Sequence, residues 1–280
     1  MISVAISRVK RTTHIYGIEV PTSMVHAQSI DKINNNTLWM DALSLEMNTI
    51  DVAFNFKQQG ASAPPSYSKR SGQFIWDVKM DFTRKARWVK NGHLTCDPET
   101  SNFDRVVSQE RIKIVLTYAD LNSLNVCAAY IKSAYLQVSP SEKHHIICGD
   151  VFGTDKKGRI AVIIRALYGW KTARSDYWKH TCACMNKRCF NSCCGDLDLW
   201  QREAIKSDGT KYWEYCCLYV DDFLVISENP ENIIREEISK YWILIEKWIG
   251  EPKLYLGNKV SKVTLENDVI CWSFSSSQYV

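Results

Sequence analysis

The chain has 280 residues, 45% of them hydrophobic and 24% charged, with a formal net charge of +4. These values exclude a disordered chain and allow one large domain or two packed ones, and so small a charge does not by itself indicate a nucleic-acid partner. No apolar run reaches the roughly 18 to 20 residues of a membrane-spanning helix, so we expect an intracellular protein without membrane contact. The eleven cysteines, an odd number without a secretory signal, indicate reduced thiols.

The first part of the chain predicts one amphipathic helix and one basic β-hairpin. Residues 1–36 show no periodic pattern, but a helix is expected to begin after Thr37, its N-cap. The apolar residues that would share one face of this helix are Trp39, Leu43, Met47 and Ile50. A Gly/Ser/Pro loop at 60–66 follows, and then the predicted hairpin. Residues 67–93 contain seven Lys or Arg and two Asp, so their net charge of +5 exceeds that of the whole chain.

Helices and strands follow one another in no repeating order. Helices are predicted at about 108–122, 172–187 and 230–244. Strands are predicted at 73–80, 86–90, 125–130, 145–148, 160–165, 197–202, 212–220, 223–227, 254–263 and 269–274. This mixture predicts an α+β fold.

The most informative segment reads Leu-Tyr-Val-Asp-Asp-Phe-Leu-Val and covers residues 218–225. Apolar strand-like runs on both sides place Asp221 and Asp222 at a tight turn between two strands. Each carboxylate raises the cost of ionising the other, and a divalent cation offsets that cost. An Asp-Asp pair alone is more often an ordinary surface turn, but the apolar runs and the preceding Tyr219 favour a metal site.

The segment resembles the active-site hairpin of reverse transcriptases, and other segments match the Ty1/copia class of LTR retrotransposons in order. The matching segments are Trp39-x-x-Ala42-x-x-x-Glu46-Met47, residues 81–89 followed by Gly92-His93, Ala134-Tyr135-Leu136, residues 165–171, residues 196–200 and Tyr255-Leu256-Gly257. The resemblance extends from about residue 16 to the end of the chain.

The resemblance implies a right-hand polymerase fold with fingers and palm subdomains, the palm being a mixed antiparallel sheet backed by helices. Residues 1–36 would be an N-terminal extension of the reverse transcriptase domain at 37–280. The fingers would comprise about 37–124 and 140–172, the palm about 125–139 and 173–280, and the thumb would be missing. The expected function is RNA-directed DNA polymerase of a cytoplasmic element, acting on a primer-template and dNTPs. A full-length element would add further Pol segments, RNase H and integrase.

The resemblance also implies roles for the charged residues. Asp221 and Asp222 would bind two Mg²⁺ ions, which clamp the attacking and leaving oxygens of an in-line displacement. Lys85 and Arg87 would face the incoming triphosphate. Without the resemblance, a solvated hairpin face is the simpler interpretation of Lys85 and Arg87.

Further roles fall on residues that shape the substrate site. Tyr135 would exclude a ribose 2′-hydroxyl by bulk, and Gly169 and Lys171 would line the nucleotide and template pocket. Leu256 and Gly257 would form the primer grip. The simpler interpretations are an ordinary strand aromatic for Tyr135 and a helix start for Gly169.

The chain departs from this class at the first catalytic aspartate, the one of motif A. In the class this residue lies five positions before the aromatic gate, and here the position holds Tyr130. Residues 121–141 contain no Asp or Glu, and a slip of one residue would turn a side chain to the opposite face of the strand. A phenol is neutral at pH 7, so we expect weak or absent polymerase activity. Thr172 also departs from the class, which has an amide or a serine there.

Six potential soft metal ligands cluster near the middle of the chain. They are His180, Cys182, Cys184, Cys189, Cys193 and Cys194. Their spacing is irregular and contains no Cys-x-x-Cys pair, so scattered thiols are the simpler interpretation and a zinc site the alternative. Three functions stay open: an impaired reverse transcriptase, a noncatalytic nucleic-acid binder, and a nonfunctional transposon relic.

Overall fold

The computed structural model describes residues 14–90, 107–170 and 172–276. The chain forms two compact units: the first comprises residues 1–100 and 138–176, and the second residues 101–137 and 177–280. Several sheets and few helices make up the described part, so the predicted mixed α+β class is confirmed. The fingers, palm and missing thumb remain predictions. Within the described residues, no helix is both long and apolar enough to cross a bilayer.

The elements are numbered in chain order. The α-helices are α1 (Met24–Ile33), α2 (Leu38–Ile50), α3 (Gln109–Leu121), α4 (Ala173–Lys187) and α5 (Pro230–Asn232). The strands are β1 (His14–Ile15), β2 (Ile18–Glu19), β3 (Phe54–Phe56), β4 (Ser68–Lys69), β5 (Gly72–Val78), β6 (Arg84–Lys90), β7 (Asn125–Tyr130), β8 (His144–Ile147), β9 (Ile160–Ile163), β10 (Asn191–Cys193), β11 (Asp196–Ile205), β12 (Lys211–Tyr219), β13 (Asp222–Ser227), β14 (Leu254–Tyr255), β15 (Asn258–Thr264) and β16 (Ile270–Ser275). Short 3₁₀ turns occur at Asp51–Ala53, Ala134–Gln137, Asp150–Phe152, Ile238–Lys240 and Glu246–Trp248, and a π turn at Ile233–Glu237.

In the first unit, the β5–β6 hairpin packs on the two N-terminal helices. Trp39 and Leu43 of α2 share a core with Trp76 of β5 and Ala86 of β6. The rings of Trp39 and Trp76 meet edge to face, with their centroids 5.8 Å apart. Strand side chains alternate between the two faces of a sheet. Asp77 of β5 and Lys85 and Arg87 of β6 therefore point away from this core. The hairpin therefore has one covered face and one open face.

The helix α2 begins where it was predicted, but its first turn is capped differently. Thr37 occupies the N-cap position without making a side-chain bond to the helix backbone, and its hydroxyl donates to Asp41 instead. The cap is Asp31, at the end of α1, which accepts from the backbone N–H groups of Trp39 at 3.1 Å and Met40 at 2.9 Å. A carboxylate suits this place because a helix N-terminus has unpaired N–H groups and a partial positive charge.

A second sheet of the first unit has the strand order β3-β9-β8-β4, with β4 parallel to β8 and the other pairs antiparallel. His144 of β8 is buried, and its ring nitrogens lie 2.6 Å from Ser68 Oγ and 2.8 Å from Glu142 Oε2. Glu142 also accepts from the indole N–H of Trp170 at 2.5 Å. These bonds satisfy polar groups that would be costly to bury alone.

The second unit contains an antiparallel sheet of order β10-β11-β12-β13-β7. Helix α3 packs on this sheet, and Ile112 and Leu116 of the helix share a core with Leu224 and Ile226 of β13. Tyr255, at the start of the β14–β15–β16 sheet, belongs to the same core. Strand β13 is paired with β12 on one edge and with β7 on the other. Its side chains from Phe223 to Ile226 have no exposed surface.

Two segments differ from the prediction. The helix expected at 230–244 is broken into short α, π and 3₁₀ turns. The buried residues of this segment are Pro230, Ile233, Ile234, Ile238 and Trp242. The α1 helix lies in the segment where no pattern was predicted, and Ser23 caps it by accepting from His26 N–H at 3.1 Å.

Candidate functional site

The predicted carboxylate pair lies at the tip of the β12–β13 hairpin. Tyr219 pairs with Asp222, so the connection is a two-residue turn of Val220 and Asp221. Val220 has φ 53°, a left-handed conformation that is costly for a β-branched residue. The buried Tyr177 of α4 supports this turn, since its hydroxyl donates to the Val220 carbonyl at 2.5 Å.

Tyr130 is the residue of the neighbouring strand that reaches the pair. In the β7–β13 register Tyr130 lies directly opposite Asp222, and its hydroxyl donates to Asp221 Oδ2. The next backbone N–H, that of Ile131, donates to the Asp221 carbonyl at 2.7 Å. The structure therefore brings together Tyr130, Asp221 and Asp222, the three positions that the family resemblance places at one centre.

Burial and like charge determine the electrostatics of the pair. Burial, and second the charge of Asp221, raises the pKa of Asp222 to about 7. Near neutral pH a large fraction of Asp222 is therefore protonated. Burial also raises the pKa of Tyr177 well above its usual value, so this hydroxyl stays protonated and remains a donor to Val220.

The donor set does not fit a pair of magnesium ions. Mg²⁺ takes hard oxygen ligands in near-ideal octahedral geometry, and two ions need carboxylates that bridge or flank them. Here one oxygen of Asp221 already accepts the Tyr130 hydroxyl, and Tyr130 supplies a neutral phenol where a third carboxylate would stand. Among residues 14–90, 107–170 and 172–276, no three His, Cys, Asp or Glu side chains are grouped as metal ligands.

The alternative zinc site gains no support from the structure. In the described part of the chain no two cysteines form a disulfide, and Cys189 and Cys194 are exposed. His180 Nε2 lies 3.5 Å from Cys184 Sγ, one helical turn away, but no third ligand joins them in the described residues. Burial raises the pKa of Cys184 to about 11, which keeps this thiol protonated.

Tyr135 reaches the hairpin through another tyrosine. It lies in the 3₁₀ turn Ala134–Gln137, so its interpretation as an ordinary strand aromatic is wrong. Its ring meets the Tyr177 ring edge to face, with a centroid distance of 5.6 Å. Sequence reasoning missed Tyr177, because a tyrosine inside a predicted helix is indistinguishable from a core residue.

Leu256 and Gly257 form the two-residue turn between β14 and β15, where both have positive φ, 50° and 72°. The preceding Tyr255 is fully buried, and its hydroxyl donates to the Cys217 carbonyl of β12 at 3.0 Å. This bond ties the predicted primer-grip turn to the strand that leads into the carboxylate hairpin. Tyr255 was part of the matching motif but was given no role.

In the first unit, Lys85 and Arg87 lie on the open face of β6. Arg87 is exposed, and its guanidinium carbon lies 5.4 Å from the ring centroid of Tyr168. Gly169, with φ 79°, is the next residue, so the structure brings two predicted nucleotide-binding positions together. Burial, and second the charge of Arg87, lowers the pKa of Lys85. Lys171 lies outside the described residues.

Fold and site together define a mixed α+β protein with an acidic pair at the tip of a central hairpin. No family model matches the chain, and no curated protein matches it. One solved structure that it resembles is the apo telomerase of Candida tropicalis, truncated from its C-terminal domain. The identity is 9% and the TM-score 0.44, and the match covers 80% of this chain and 58% of that chain. So remote a likeness carries no argument about activity, and the functional proposal rests on the site.

Proposed function

We propose that this chain is an RNA-directed DNA polymerase domain of the Ty1/copia type, comprising fingers and palm, in which Tyr130 disables nucleotidyl transfer. The observation that carries this proposal is the position of Tyr130, opposite Asp222 and with its hydroxyl on Asp221. The motif order in the sequence supports the polymerase type, and the strand register supports the disabled centre.

The strand register explains why the loss of an aspartate at this position cannot be compensated locally. Strands β7 and β13 pair without interruption from Asn125–Ser227 to Tyr130–Asp222, so residue 130 cannot exchange places with a neighbour. The phenol is neutral where an anionic oxygen would bind a cation, and it occupies an oxygen of Asp221. In this proposal Lys85, Arg87, Tyr135, Gly169 and Lys171 keep their predicted substrate contacts, and Leu256 and Gly257 keep the primer grip.

The test is primer extension on an RNA template, with Mg²⁺ or Mn²⁺, comparing the wild type with Tyr130→Asp. The variant should extend the primer at a rate about two orders of magnitude or more above the wild type, because it restores an anionic ligand. Tyr130→Asn is the matched control, since its amide has the size of the carboxylate without the charge, and it should stay inert. Wild-type extension equal to that of Tyr130→Asp would refute the proposal.

Metal binding gives a second readout that does not depend on turnover. Millimolar Mg²⁺ should raise the thermal midpoint of Tyr130→Asp more than that of the wild type, because only a state that binds the ion is stabilised. An equal shift in both proteins would show that Tyr130 does not obstruct the ion. A folded Tyr130→Asp variant that binds Mg²⁺ but extends no primer would place the lesion elsewhere.

A second candidate function is noncatalytic nucleic-acid binding by the basic hairpin. It is favoured by the open face of β6, on which Arg87 is exposed, and by the net charge of +5 over residues 67–93. Each phosphate contact that is lost should reduce the slope of log affinity against log salt by about 0.9. The double variant Lys85→Glu/Arg87→Glu should therefore weaken primer-template binding and lower the slope by about 2. Lys113→Glu, an exposed cation of α3, is the control and should change neither.

A further inference from the structure

Residues 243–250 run along the edge of β7 that faces away from β13. A 3₁₀ turn within this segment therefore lies beside Tyr130. Ala128 and Gly250 exchange backbone bonds of 2.7 and 3.1 Å, and Ile245 N–H donates to the Tyr130 carbonyl at 2.9 Å. The turn Glu246–Trp248 lies between these anchors. The backbone of this turn is therefore attached to the sheet on both sides.

Trp248 presents most of its ring to solvent. Its relative exposure is 59%, compared with 38% for Trp213, the other exposed tryptophan in the described residues. The ring lies against Tyr130, with a centroid distance of 6.4 Å and an interplanar angle of 42°. Because the Tyr130 hydroxyl is bonded to Asp221, the supporting ring is fixed as well. An exposed ring that rests on a fixed, half-buried one loses little entropy when a partner stacks on it.

Charges of both signs lie near this pair: Asp221 accepts the Tyr130 hydroxyl on its inner side, and two lysines are exposed to solvent. Lys247 Nζ lies 6.0 Å from the Trp248 ring centroid, and Lys132, whose N–H donates to the Ile243 carbonyl, is exposed. The neighbouring Glu246 carboxylate is paired with Arg235 at 2.6 Å, so its charge is partly offset. Flat aromatic surface flanked by lysines is the combination that binds unpaired bases and their phosphates.

We propose that Trp248, supported by Tyr130, is a stacking platform for an unpaired base of single-stranded nucleic acid, with Lys247 and Lys132 contacting the adjoining phosphates. This inference deepens the proposed function, since it assumes a chain that binds nucleic acid. It needs neither turnover nor a metal ion. Tyr130 then has a binding role in place of the catalytic one that its position has in the resembled class.

The test is the fluorescence anisotropy of a labelled, unstructured oligonucleotide of about 12 nucleotides, a length within the usual site size of one stacking groove. Trp248→Ala should weaken binding roughly tenfold, because base stacking on one aromatic residue has about this effect. Trp248→Phe should lose less affinity, since a smaller ring still stacks. Trp213→Ala is the matched control, an exposed tryptophan of the same unit on β12, and should bind like the wild type.

Salt dependence separates stacking from charge. Trp248→Ala should leave the slope of log affinity against log salt unchanged, whereas Lys132→Glu/Lys247→Glu should lower it by about 2. No wild-type binding, equal binding by Trp248→Ala and wild type, or an equal loss in Trp213→Ala would each overturn the proposal. Primer extension by Tyr130→Asp is a separate measurement, so a failure here and a failure of the proposed function are distinguishable.

Discussion

The acidic hairpin β12–β13 and the basic hairpin β5–β6 differ in how far the rest of the fold constrains them. Strands β12 and β13 lie inside a sheet, with β11 and β7 paired to their outer edges. Strands β5 and β6 pair only with each other among the described residues. In β13 every residue from Phe223 to Ile226 is fully buried, whereas in β5 buried and accessible residues alternate.

This difference determines what a substitution can do at each hairpin. The tip of β12–β13 is fixed by strand pairing on both sides. Residue 130 therefore lies opposite Asp222 whatever its side chain is. On the open face of β6, Arg87 lies over the Tyr168 ring and Lys85 interacts with Glu46. A substitution there removes these side-chain contacts and leaves the strand pairing in place. Under the proposed function, the acidic hairpin loses its chemistry through one residue, whereas a substitution in the basic hairpin removes charge and side-chain contacts.

The largest expected effect is the cost of a cavity under the acidic hairpin. Leu224→Ala removes a side chain with no exposed surface and should lower the free energy of unfolding by about 3 kcal/mol. Ile75→Ala, on the open face of β5, should cost less than about 1 kcal/mol. Urea unfolding of both variants measures the difference. Equal losses would mean that the two hairpins are equally constrained.

The next effect concerns the Tyr130 hydroxyl. Tyr130→Phe keeps the ring and removes the donor to Asp221, which should lower the free energy of unfolding by about 1.5 kcal/mol, as for other bonds to charged groups. Tyr67→Phe, at a tyrosine of the first unit, is a control for the loss of a phenol as such. An unchanged urea midpoint in Tyr130→Phe would show that the bond to Asp221 contributes nothing.

A smaller effect is expected from backbone strain, which both hairpins have in their turns. Val220 in the acidic turn and Phe82 in the basic loop have φ values of 53° and 62°. Val220→Gly should stabilise the fold by about 1 kcal/mol, because the left-handed conformation is costly for a β-branched residue. Phe82→Gly should gain less, since it also loses the edge contact with Tyr16, at 6.1 Å. A larger gain from Phe82→Gly, measured by thermal unfolding, would reverse this ranking.

The sequence was sufficient to predict the elements of both hairpins, for different reasons. Continuous apolar residues on both sides of Asp221 and Asp222 indicate strands buried on both faces. Alternation around Trp76 indicates a strand with one buried face. The α1 helix was missed because only Ala27 and Ile30 of its buried face are apolar, and the third buried residue, Asp31, caps α2.

The candidate site could be predicted only in part. Asp221 and Asp222 follow from their local pattern, but the approach of Tyr130 depends on the pairing of strands almost a hundred residues apart, which only the family resemblance indicated. Tyr177 and Trp248 were not predicted. Their importance lies in contacts across the fold, a hydrogen bond to Val220 and a ring contact with Tyr130, and no local pattern marks such contacts.

The smallest expected effect concerns the edge of β6 that faces away from β5. At this edge a side chain, and not another strand, accepts a backbone hydrogen bond. Glu46 of α2 accepts from the Trp88 backbone N–H at 2.9 Å, and burial raises the pKa of its carboxyl. The folded state therefore binds this proton more tightly than the unfolded chain does. Stability from this group is present below the unfolded pKa of about 4.5 and is lost as pH rises through the higher folded value.

The variant Glu46→Gln keeps an oxygen acceptor for Trp88 and removes the ionisation. The urea midpoint of Glu46→Gln should increase relative to that of the wild type as the pH is raised from about 4 to about 7. This range spans the titration of a carboxyl with a raised pKa. Glu46→Ala, which also removes the acceptor, should be less stable than Glu46→Gln at every pH. Parallel pH profiles for the wild type and Glu46→Gln would mean that ionised Glu46 is tolerated at this edge without cost. The edge of β6 would then be as well satisfied by a side chain as the edges of β12 and β13 are by strands.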